Sequence, residues 1–298
     1  MKVSAIKLSN KLYSFKSQNK EEIPRIHEQK KQISTSNIIL GSAAIAATTA
    51  AIIFGIKYNK LNKNTKEVIE ATKEKLQKDF DVVKDGSETI LKLAQKNEDK
   101  FNKLSDKEIN ALLSDITKIE GNIVLEYKNK IEAPKLKEIN GTFIAKGVKT
   151  LNLPNLEKVG DNFALTLINE LQAQNLKIVE GRFLINSLKN TSFDNLESAS
   201  SLLISNSNGI KLNKFTKLKE IFKDKSILCI SGSDDIEINN INSVNSVHMS
   251  LCSNISMPNY EKGVMVLNGV YNSKFSNFST NNAIIITAQN ITFKDKTV

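Results

Sequence analysis

A twenty-residue repeat constrains the fold of this chain more than any other feature of its sequence. Four consecutive segments carry it: ITKIEGNI (116–123), LKEINGTF (136–143), LEKVGDNF (156–163) and LKIVEGRF (176–183). Each segment has a pair of spaced apolar residues, then a small or turn residue, then an apolar residue that opens a β-rich run. A fixed period near 20 indicates a solenoid, because each unit can bury its apolar face only against its neighbours.

Several columns of the repeat run in phase. Two columns are apolar and predict inward-facing positions: Ile119, Ile139, Val159 and Val179, and then Ile123, Phe143, Phe163 and Phe183. A third column predicts a tight turn with a left-handed backbone: Gly121, Gly141, Asp161 and Gly181. A fourth predicts a ladder of amide side chains that bond to the backbone of the next coil: Asn155, Asn175 and Asn195.

Toward the C-terminus the repeat continues, but its sequence and its spacing are less regular. Strand-like runs begin near positions 123, 143, 163, 183, 202, 227, 247, 264 and 284, which predicts about nine coils over 116–298. The Leu-x-x-Ile-x-Gly-x-Phe units resemble receptor L-domain-like and bacterial surface leucine-rich-repeat β-solenoids, well over 116–231 and loosely over 232–298. The resemblance implies a right-handed parallel β-solenoid with a binding face, usually extracellular, and no shared catalytic residues. This chain lacks the cysteine-rich modules that flank animal receptor L domains.

The N-terminal part predicts a membrane anchor. Residues 1–37 hold 8 Lys/Arg against 3 Asp/Glu and predict a basic flexible tail. Residues 38–56 carry no charge over 19 positions, a length of about 28 Å as a helix, which matches the hydrocarbon core of a bilayer. We therefore predict a single transmembrane helix over 38–56. A cleaved signal peptide and a buried core helix remain as alternatives.

The charge distribution favours a membrane partner over a nucleic acid. The net charge is +10, but its excess lies in the short leader beside the hydrophobic segment. Small residues recur every four positions within 43–55, which predicts a possible homo-oligomer through close helix packing. The flanking lysines and arginine slightly favour a cytoplasmic C-terminal side. A short basic leader before an internal signal-anchor, however, commonly stays inside, and we therefore expect the C-terminal domain to be extracytoplasmic.

Two helical segments are expected between the anchor and the solenoid. A heptad-like apolar seam over 60–104 predicts a long coiled-coil-like stalk at 57–104, which would also support self-association. A single amphipathic helix lying along the solenoid is the alternative. Ser105 and Glu108 form a capping-box pattern and predict a capping helix over 105–119 that covers the first coil of the 116–298 domain.

No catalytic, cofactor-binding or metal-binding residues are predicted. Asp234 and Asp235 lie beside a strand, as acids do in polysaccharide-cleaving β-helices, or could help to bind calcium; turn residues are the simpler interpretation. His248 has no acidic partner in the pattern. Whether Cys229 and Cys252 form a disulfide stays open, with two small buried side chains as the preferred interpretation.

The sequence thus predicts a membrane-anchored, surface-exposed β-solenoid that binds a protein or glycan and is not an enzyme. Ligand contact is expected on the exposed side of the parallel sheet or on the long coil near 206–226. A membrane-tethered β-helix enzyme acting on polysaccharide is one alternative. A tethered scaffold that faces the cytoplasm is the other.

Overall fold

The computed structural model describes residues 65–218, 227–241, 243–295 and 297. The described chain is mainly β and forms a parallel solenoid with turns of about 20 residues. Nine strands stack along one of its faces and enclose about eight turns. The predicted β-solenoid is confirmed at this level, whereas its right-handed sense stays a prediction.

The helical elements lie near the start of the described chain. They are a helix at residues 65–79, named α1 here, and the helices α2 (Gln95–Asn102) and α3 (Asp106–Leu113). One short 3-10 helix lies near the end, at Thr280–Asn282.

Twenty-five strands make up the rest of the described chain. The first thirteen are β1 (Asp81–Asp85), β2 (Glu88–Leu93), β3 (Lys118–Gly121), β4 (Ile123–Glu126), β5 (Lys130–Glu132), β6 (Glu138–Ile139), β7 (Phe143–Lys146), β8 (Thr150–Asn152), β9 (Lys158–Val159), β10 (Phe163–Thr166), β11 (Glu170–Gln172), β12 (Ile178–Val179) and β13 (Arg182–Asn186). The others are β14 (Lys189–Ser192), β15 (Ser198–Ala199), β16 (Ser201–Ser205), β17 (Asn208–Leu212), β18 (Lys217–Leu218), β19 (Ile227–Ser231), β20 (Asp234–Ile238), β21 (Ser243–Ser256), β22 (Lys262–Tyr271), β23 (Lys274–Phe275), β24 (Ala283–Gln289) and β25 (Thr292–Phe293).

These strands form three sheets along the solenoid. Sheet A has the order β1-β2-β3-β6-β9-β12-β15-β18, and sheet C has the order β11-β8-β5. Sheet B stacks β4, β7, β10, β13, β16, β19, β21, β22 and β24. The long strand β21 also pairs with β20 and β23, so it joins this stack to the strands β14, β17, β20, β23 and β25 within the same sheet.

The predicted apolar columns are confirmed residue by residue. Phe163 pairs in register with Phe143 on one side and Phe183 on the other. Their rings lie 5.3 and 5.6 Å apart by centroid, and all three are buried. Burial of a Phe side chain contributes about 1.5–3 kcal/mol, so this column is a main source of stability for the first coils.

The glycine column has a different physical reason from the one predicted. Only Gly121 is left-handed, with a φ of +129°. At Gly141 a Cβ atom would lie 2.3 Å from the carbonyl oxygen of Gly121, and at Gly181 it would lie 2.6 Å from the carbonyl carbon of Asp161. These glycines are therefore needed because the backbone of the preceding coil passes too close for a side chain.

The asparagine ladder is confirmed, but its amides bond to the preceding coil and not to the next one as predicted. The side-chain amide of Asn155 donates to the carbonyl oxygen of Pro134 at 2.6 Å, and that of Asn175 donates to Pro154 at 2.8 Å. Asn195 repeats the contact with Gln174 at 2.8 Å. These amides satisfy turn carbonyls that the sheets do not reach.

Charged side chains on sheet A alternate in sign from coil to coil. Glu138 lies 3.5 Å from Lys118 below it and 3.6 Å from Lys158 above it. In the adjacent column Glu157 lies 2.9 Å from Lys177. Opposite charges attract across neighbouring strands and like charges repel, so the alternation lets identical positions stack without repulsion.

The predicted continuous helix over 57–104 is wrong within the described residues. The helix α1 ends at 79, and β1 and β2 then form an antiparallel hairpin that extends sheet A. Its two turn residues are Gly86 and Ser87, between the paired residues Asp85 and Glu88, and Gly86 has a φ of +57°. Glycine at the first position of a two-residue turn favours a hairpin, and here that local signal prevails over the heptad-like spacing. The coiled-coil seam predicted over 60–104 is therefore interrupted.

The capping box that starts α3 is confirmed. The backbone N–H of Ser105 donates to the Glu108 carboxylate at 2.8 Å, and the N–H of Glu108 donates to the Ser105 hydroxyl at 3.4 Å. Ile109 and Leu112 of this helix are fully buried in the core. The helix therefore covers the first coil, although it is shorter than the predicted segment 105–119.

The predicted transmembrane helix over 38–56 and the tail at 1–37 lie outside the described residues. Among the residues that the structure describes, no helix combines the length and the apolar character needed to span a bilayer.

Replacing Gly141 by Ala should destabilise the solenoid, because the new methyl group would overlap the backbone of Gly121. We expect a loss of about 1–3 kcal/mol in the free energy of unfolding, measured by urea denaturation. Gly86→Asn is the matched control, since a Cβ atom at Gly86 would have no heavy atom within 4 Å and Asn tolerates a positive φ. Equal stability of the two variants would contradict the close-approach explanation.

Asp115 should make stability depend on acid pH. Its carboxylate accepts hydrogen bonds from Lys135 at 2.5 Å and from Lys73 of α1, and these lower its pKa to about 2. Because the folded pKa lies below the unfolded value of about 3.9, the stabilisation is present above pH 4 and is lost as the pH falls toward 2. Denaturant titrations at a series of pH values between 4 and 2 should show that the free energy of unfolding falls more steeply with pH for the parent chain than for Asp115→Asn. The control Asp99→Asn, at an exposed position, should behave like the parent.

Candidate binding face

The outward side of the stacked strands of sheet B forms one long surface, called the outer face below. Side chains alternate along each strand: in β10, Phe163 and Leu165 are buried in the core, whereas Ala164 between them points outward. Parallel pairing in register then aligns the outward residues of all nine strands into columns. This is the exposed side of the parallel sheet on which the sequence predicts ligand contact.

The central column of the outer face is apolar along almost its whole length. Its members in register are Val124, Ile144, Ala164, Leu184, Leu203, Cys229, His248, Val266 and Ile284. Most are only half-buried, since neighbouring rungs shield one another but no other part of the described chain covers them. A solvated face of a sheet usually carries polar residues, so this continuous apolar stripe calls for a functional explanation.

The columns that flank the stripe are mostly polar and uncharged. One side carries Asn122, Thr142, Asn162, Arg182, Ser201, Ile227, Ser246 and Val264, and the other carries Glu126, Lys146, Thr166, Asn186, Ser205, Ser231, Ser250, Asn268 and Thr287. The formal charges in these columns, on Glu126, Lys146 and Arg182, all lie on the first four strands of the stack, from β4 to β13. The outer face therefore has an apolar centre and a mostly uncharged polar rim, with charges only in its first four strands, which is the usual anatomy of a protein interface.

A corner of left-handed residues borders the outer face. At this corner each coil has one residue with a positive φ: Tyr127, Gly147, Leu167, Ser187, Asn206, Gly232, Leu251 and Gly269. Glycine is unstrained there, whereas a left-handed Leu or Tyr is disfavoured by about 1–2 kcal/mol. Even so, Tyr127, Leu167 and Leu251 occupy this conformation and are 69%, 52% and 74% exposed. Strained, exposed apolar side chains are more typical of contact sites than of a passive surface.

The corner is organised by contacts between coils. A Cβ atom at Gly147 would lie 2.9 Å from the Tyr127 ring, so the ring rests directly on this glycine. The ammonium group of Lys146 lies 5.7 Å from the centroid of the same ring, within range of a cation–π interaction. Leu251 lies over Gly269 in the same way, with its Cδ2 atom 3.1 Å from the position of a Cβ.

Cys229 and Cys252 are both free. Cys229 lies on the outer face opposite His248, whereas Cys252 is buried and its thiol faces the carbonyl oxygens of Ile230 and Ser250. The two side chains are on different sides of the sheet, and no disulfide forms. Burial raises the pKa of both thiols, which keeps them protonated and weakly reactive at neutral pH.

Asp234 and Asp235 serve as corner residues between coils. Asp234 accepts a hydrogen bond from the backbone N–H of Ser253 at 3.1 Å. Asp235 is left-handed, with a φ of +55°, and accepts from the amides of Asn254 at 2.9 Å and Asn208 at 3.1 Å. Both carboxylates thus take part in tying successive coils together. The described residues contain no group of three or more His, Cys, Asp or Glu that could hold a metal ion.

A groove lies between α1 and α3, apart from the outer face. It has a volume of about 590 Å³ and is lined by Thr65, Val68, Ile69, Lys107, Asn110, Ala111 and Ser114. Val68 and Ile69 are 65% and 48% exposed. The exposed lining of the groove is mainly apolar, and Thr65, Lys107, Asn110 and Ser114 supply its polar groups. The other expected contact region, the coil near 206–226, is described only up to 218.

The apolar stripe could have been found in the sequence. Its signal is an unbroken run of three apolar residues in most strands, as in FIA (143–145), FLI (183–185), LLI (202–204) and LCI (228–230). A half-buried strand with one solvated face would alternate, so these runs show that the outward central position is apolar as well.

A buried serine ladder was also missed. The hydroxyl of Ser207 accepts from the backbone N–H of Leu188 at 3.2 Å, and that of Ser233 accepts from the N–H of Ser207 at 3.2 Å. Each hydroxyl donates to a carbonyl oxygen two residues earlier in its own coil, at 2.8 Å. The signal is the repeated Ser-x-Ser spelling at 205–207 and 231–233.

Comparisons with protein-family models, with curated proteins and with solved structures find no significant match to this chain. The likeness to L-domain-like and leucine-rich-repeat solenoids therefore stays a resemblance of sequence pattern. What the structure establishes is the coarser class, a parallel β-solenoid.

Proposed function

We propose that this chain is a recognition protein whose outer face binds a protein partner, without catalysis of its own. The observation that carries the proposal is the apolar stripe from Val124 to Ile284, bordered by mostly uncharged polar columns. Burying such a stripe against a complementary surface removes apolar area from water, at roughly 25 cal/mol per Å². A parallel β-solenoid supplies the rigid support that a recognition surface of this length requires.

The chemistry of the outer face supports a protein partner more than a glycan. Glycan sites depend on aromatic platforms and on dense hydrogen-bonding groups, whereas the central column here is aliphatic over most of its length. The aromatic side chain at its border, Tyr127, is at the N-terminal end. A flat aliphatic stripe is better matched by apolar side chains of a protein surface.

The membrane part of the proposal rests on the sequence. Residues 38–56 would anchor the chain in a bilayer as a single-pass helix, with the basic leader 1–37 inside and the solenoid outside. In this arrangement the outer face is available to partners beyond the cell that carries it, as an adhesin-like surface component requires.

Leu203→Glu should weaken partner binding by at least about tenfold, because it places a charge in the middle of the apolar stripe. The probe is a set of displayed peptides selected against the immobilised full chain in detergent, with affinities measured by biolayer interferometry. Gln172→Glu is the matched control, since it adds the same charge at an exposed position of sheet C.

Leu203→Thr keeps the β preference of the site and guards against loss of folding, and it should weaken the same peptides to a smaller extent. Peptides that bind both variants as well as the parent would show that the outer face is not the recognition surface. A glycan array run in parallel would overturn the protein assignment if it alone yields ligands sensitive to Leu203→Glu.

Orientation can be tested by protease shaving of intact cells that express the full chain. We expect the fragment 121–298 to be lost from the surface while a marker enzyme of the cytoplasm stays intact. Protection of that fragment in intact cells, together with its digestion after lysis, would assign the solenoid to the cytoplasm and support the tethered-scaffold alternative.

A further inference from the structure

The N-terminal end of the solenoid has a specific cover for each of its sheets. The hairpin of β1 and β2 continues sheet A beyond β3, and the helix α2 packs against β4 of sheet B. The helix α3 covers β5 of sheet C through two side chains: Asn110 donates to the carbonyl oxygen of Lys130 at 2.9 Å and accepts from the N–H of Glu132 at 2.8 Å. Asp106 accepts from the N–H of Asn129 at 2.8 Å.

The C-terminal end is covered only in part. The last residues fold back so that Thr297 forms a bridge with Thr292 of β25. The strand β24, in contrast, pairs only with β22 among the strands that the structure describes. Its other edge therefore offers backbone N–H and C=O groups to a further strand.

The composition of β24 is that of a strand that can accept a partner. Its sequence AIIITAQ contains no charge, no Pro and no Gly, and Ile284 and Ile286 are 56% and 64% exposed. Edge strands are usually protected by lysine, proline or a bulge. The pairing of β24 with β22 has two register shifts, one beside Ile286 of β24 and one beside Gly269 of β22, and Ile286 remains exposed despite the first.

We propose that β24 pairs antiparallel with β24 of a second copy of this chain. The sequence Ile284-Ile285-Ile286 is symmetric about its centre, so a two-fold axis at Ile285 places Ile284 opposite Ile286 of the partner. Cross-strand pairs of β-branched residues are favourable, and an isologous contact satisfies both open edges at once.

Charge also supports a second copy as the occupant. Two copies of a chain with a net charge of +10 repel each other overall. The strand β24 and the outward residues of β22 beside it, Val264, Val266 and Asn268, carry no charge. Two copies can therefore meet at this edge without placing like charges against each other.

The size of the contact sets the expected affinity. Two seven-residue strands with four exposed isoleucines bury less than the roughly 1,200 Å² of a standard stable interface. The dimer should accordingly be weak, with a Kd on the order of 10–100 μM. Anchoring both copies in one membrane would raise their effective concentration and favour the pairing.

The test uses the full chain in detergent micelles. Sedimentation velocity from about 1 to 100 μM should show a monomer–dimer equilibrium, and hydrogen exchange of the amides in 283–289 should slow as the concentration rises. Ile286→Lys places two like charges in the contact and should abolish both effects. Gln172→Lys is the matched control, because it adds the same charge at an exposed strand position of sheet C, several coils away from β24.

Two outcomes would overturn the proposal. One is a chain that stays monomeric over the whole range, with unchanged exchange in 283–289, which would leave β24 to a strand of another protein. The other is a dimer that Ile286→Lys does not weaken, which would place the contact elsewhere, such as the small residues within 43–55. Neither outcome bears on the Leu203 variants, so failure here is distinguishable from failure of the recognition face.

Discussion

The vertical register between coils is the constraint on which this structure depends. Every residue of a coil lies on the equivalent residue of the coil before it, about 4.8 Å away, so each position must be compatible with a copy of itself. Apolar and amide side chains meet that condition directly, as the stack of Phe143, Phe163 and Phe183 and the ladder from Asn155 to Asn195 show. Glycine meets it where the backbones come too close for a Cβ atom, as at Gly141.

Residues of like charge repel each other when they stack, and the sequence avoids this because positive and negative residues alternate from coil to coil. Lys118, Glu138 and Lys158 form one such series on sheet A, and Glu157 pairs with Lys177 beside it. Each exposed pair contributes little by itself. If a coil stacked on the coil two positions before it, like charges would meet in both series. The apolar columns alone would tolerate such a misregistered stack, and the alternating charges oppose it.

The same register that builds the core also builds the outer face. Because outward residues are aligned as strictly as inward ones, half-buried aliphatic positions in successive strands merge into one stripe from Val124 to Ile284. The corner beside it holds Tyr127, Leu167 and Leu251 in left-handed conformations that glycine would adopt with less strain. Because the repeat aligns equivalent positions, an aliphatic residue at the central outward position of each strand produces an apolar surface along the whole solenoid.

The sequence by itself determined the solenoid, its period, its inward columns, its amide ladder and the helix cap at Ser105, because these depend on patterns that repeat at a fixed spacing or on local capping chemistry. It predicted a helix through 81–93, where the tertiary structure has a hairpin, because the spacing of apolar residues there fits both periods. The turn at Gly86 and the pairing of β2 with the edge of β3 together favour the hairpin. The tertiary structure alone decided the partners of the carboxylates and the thiols. Asp235 accepts hydrogen bonds from two amides, and Cys229 and Cys252 lie on different sides of a sheet and do not meet. These contacts depend on coils that are longer or shorter than 20 residues. A repeat with a fixed spacing of 20 does not predict the lengths of such coils.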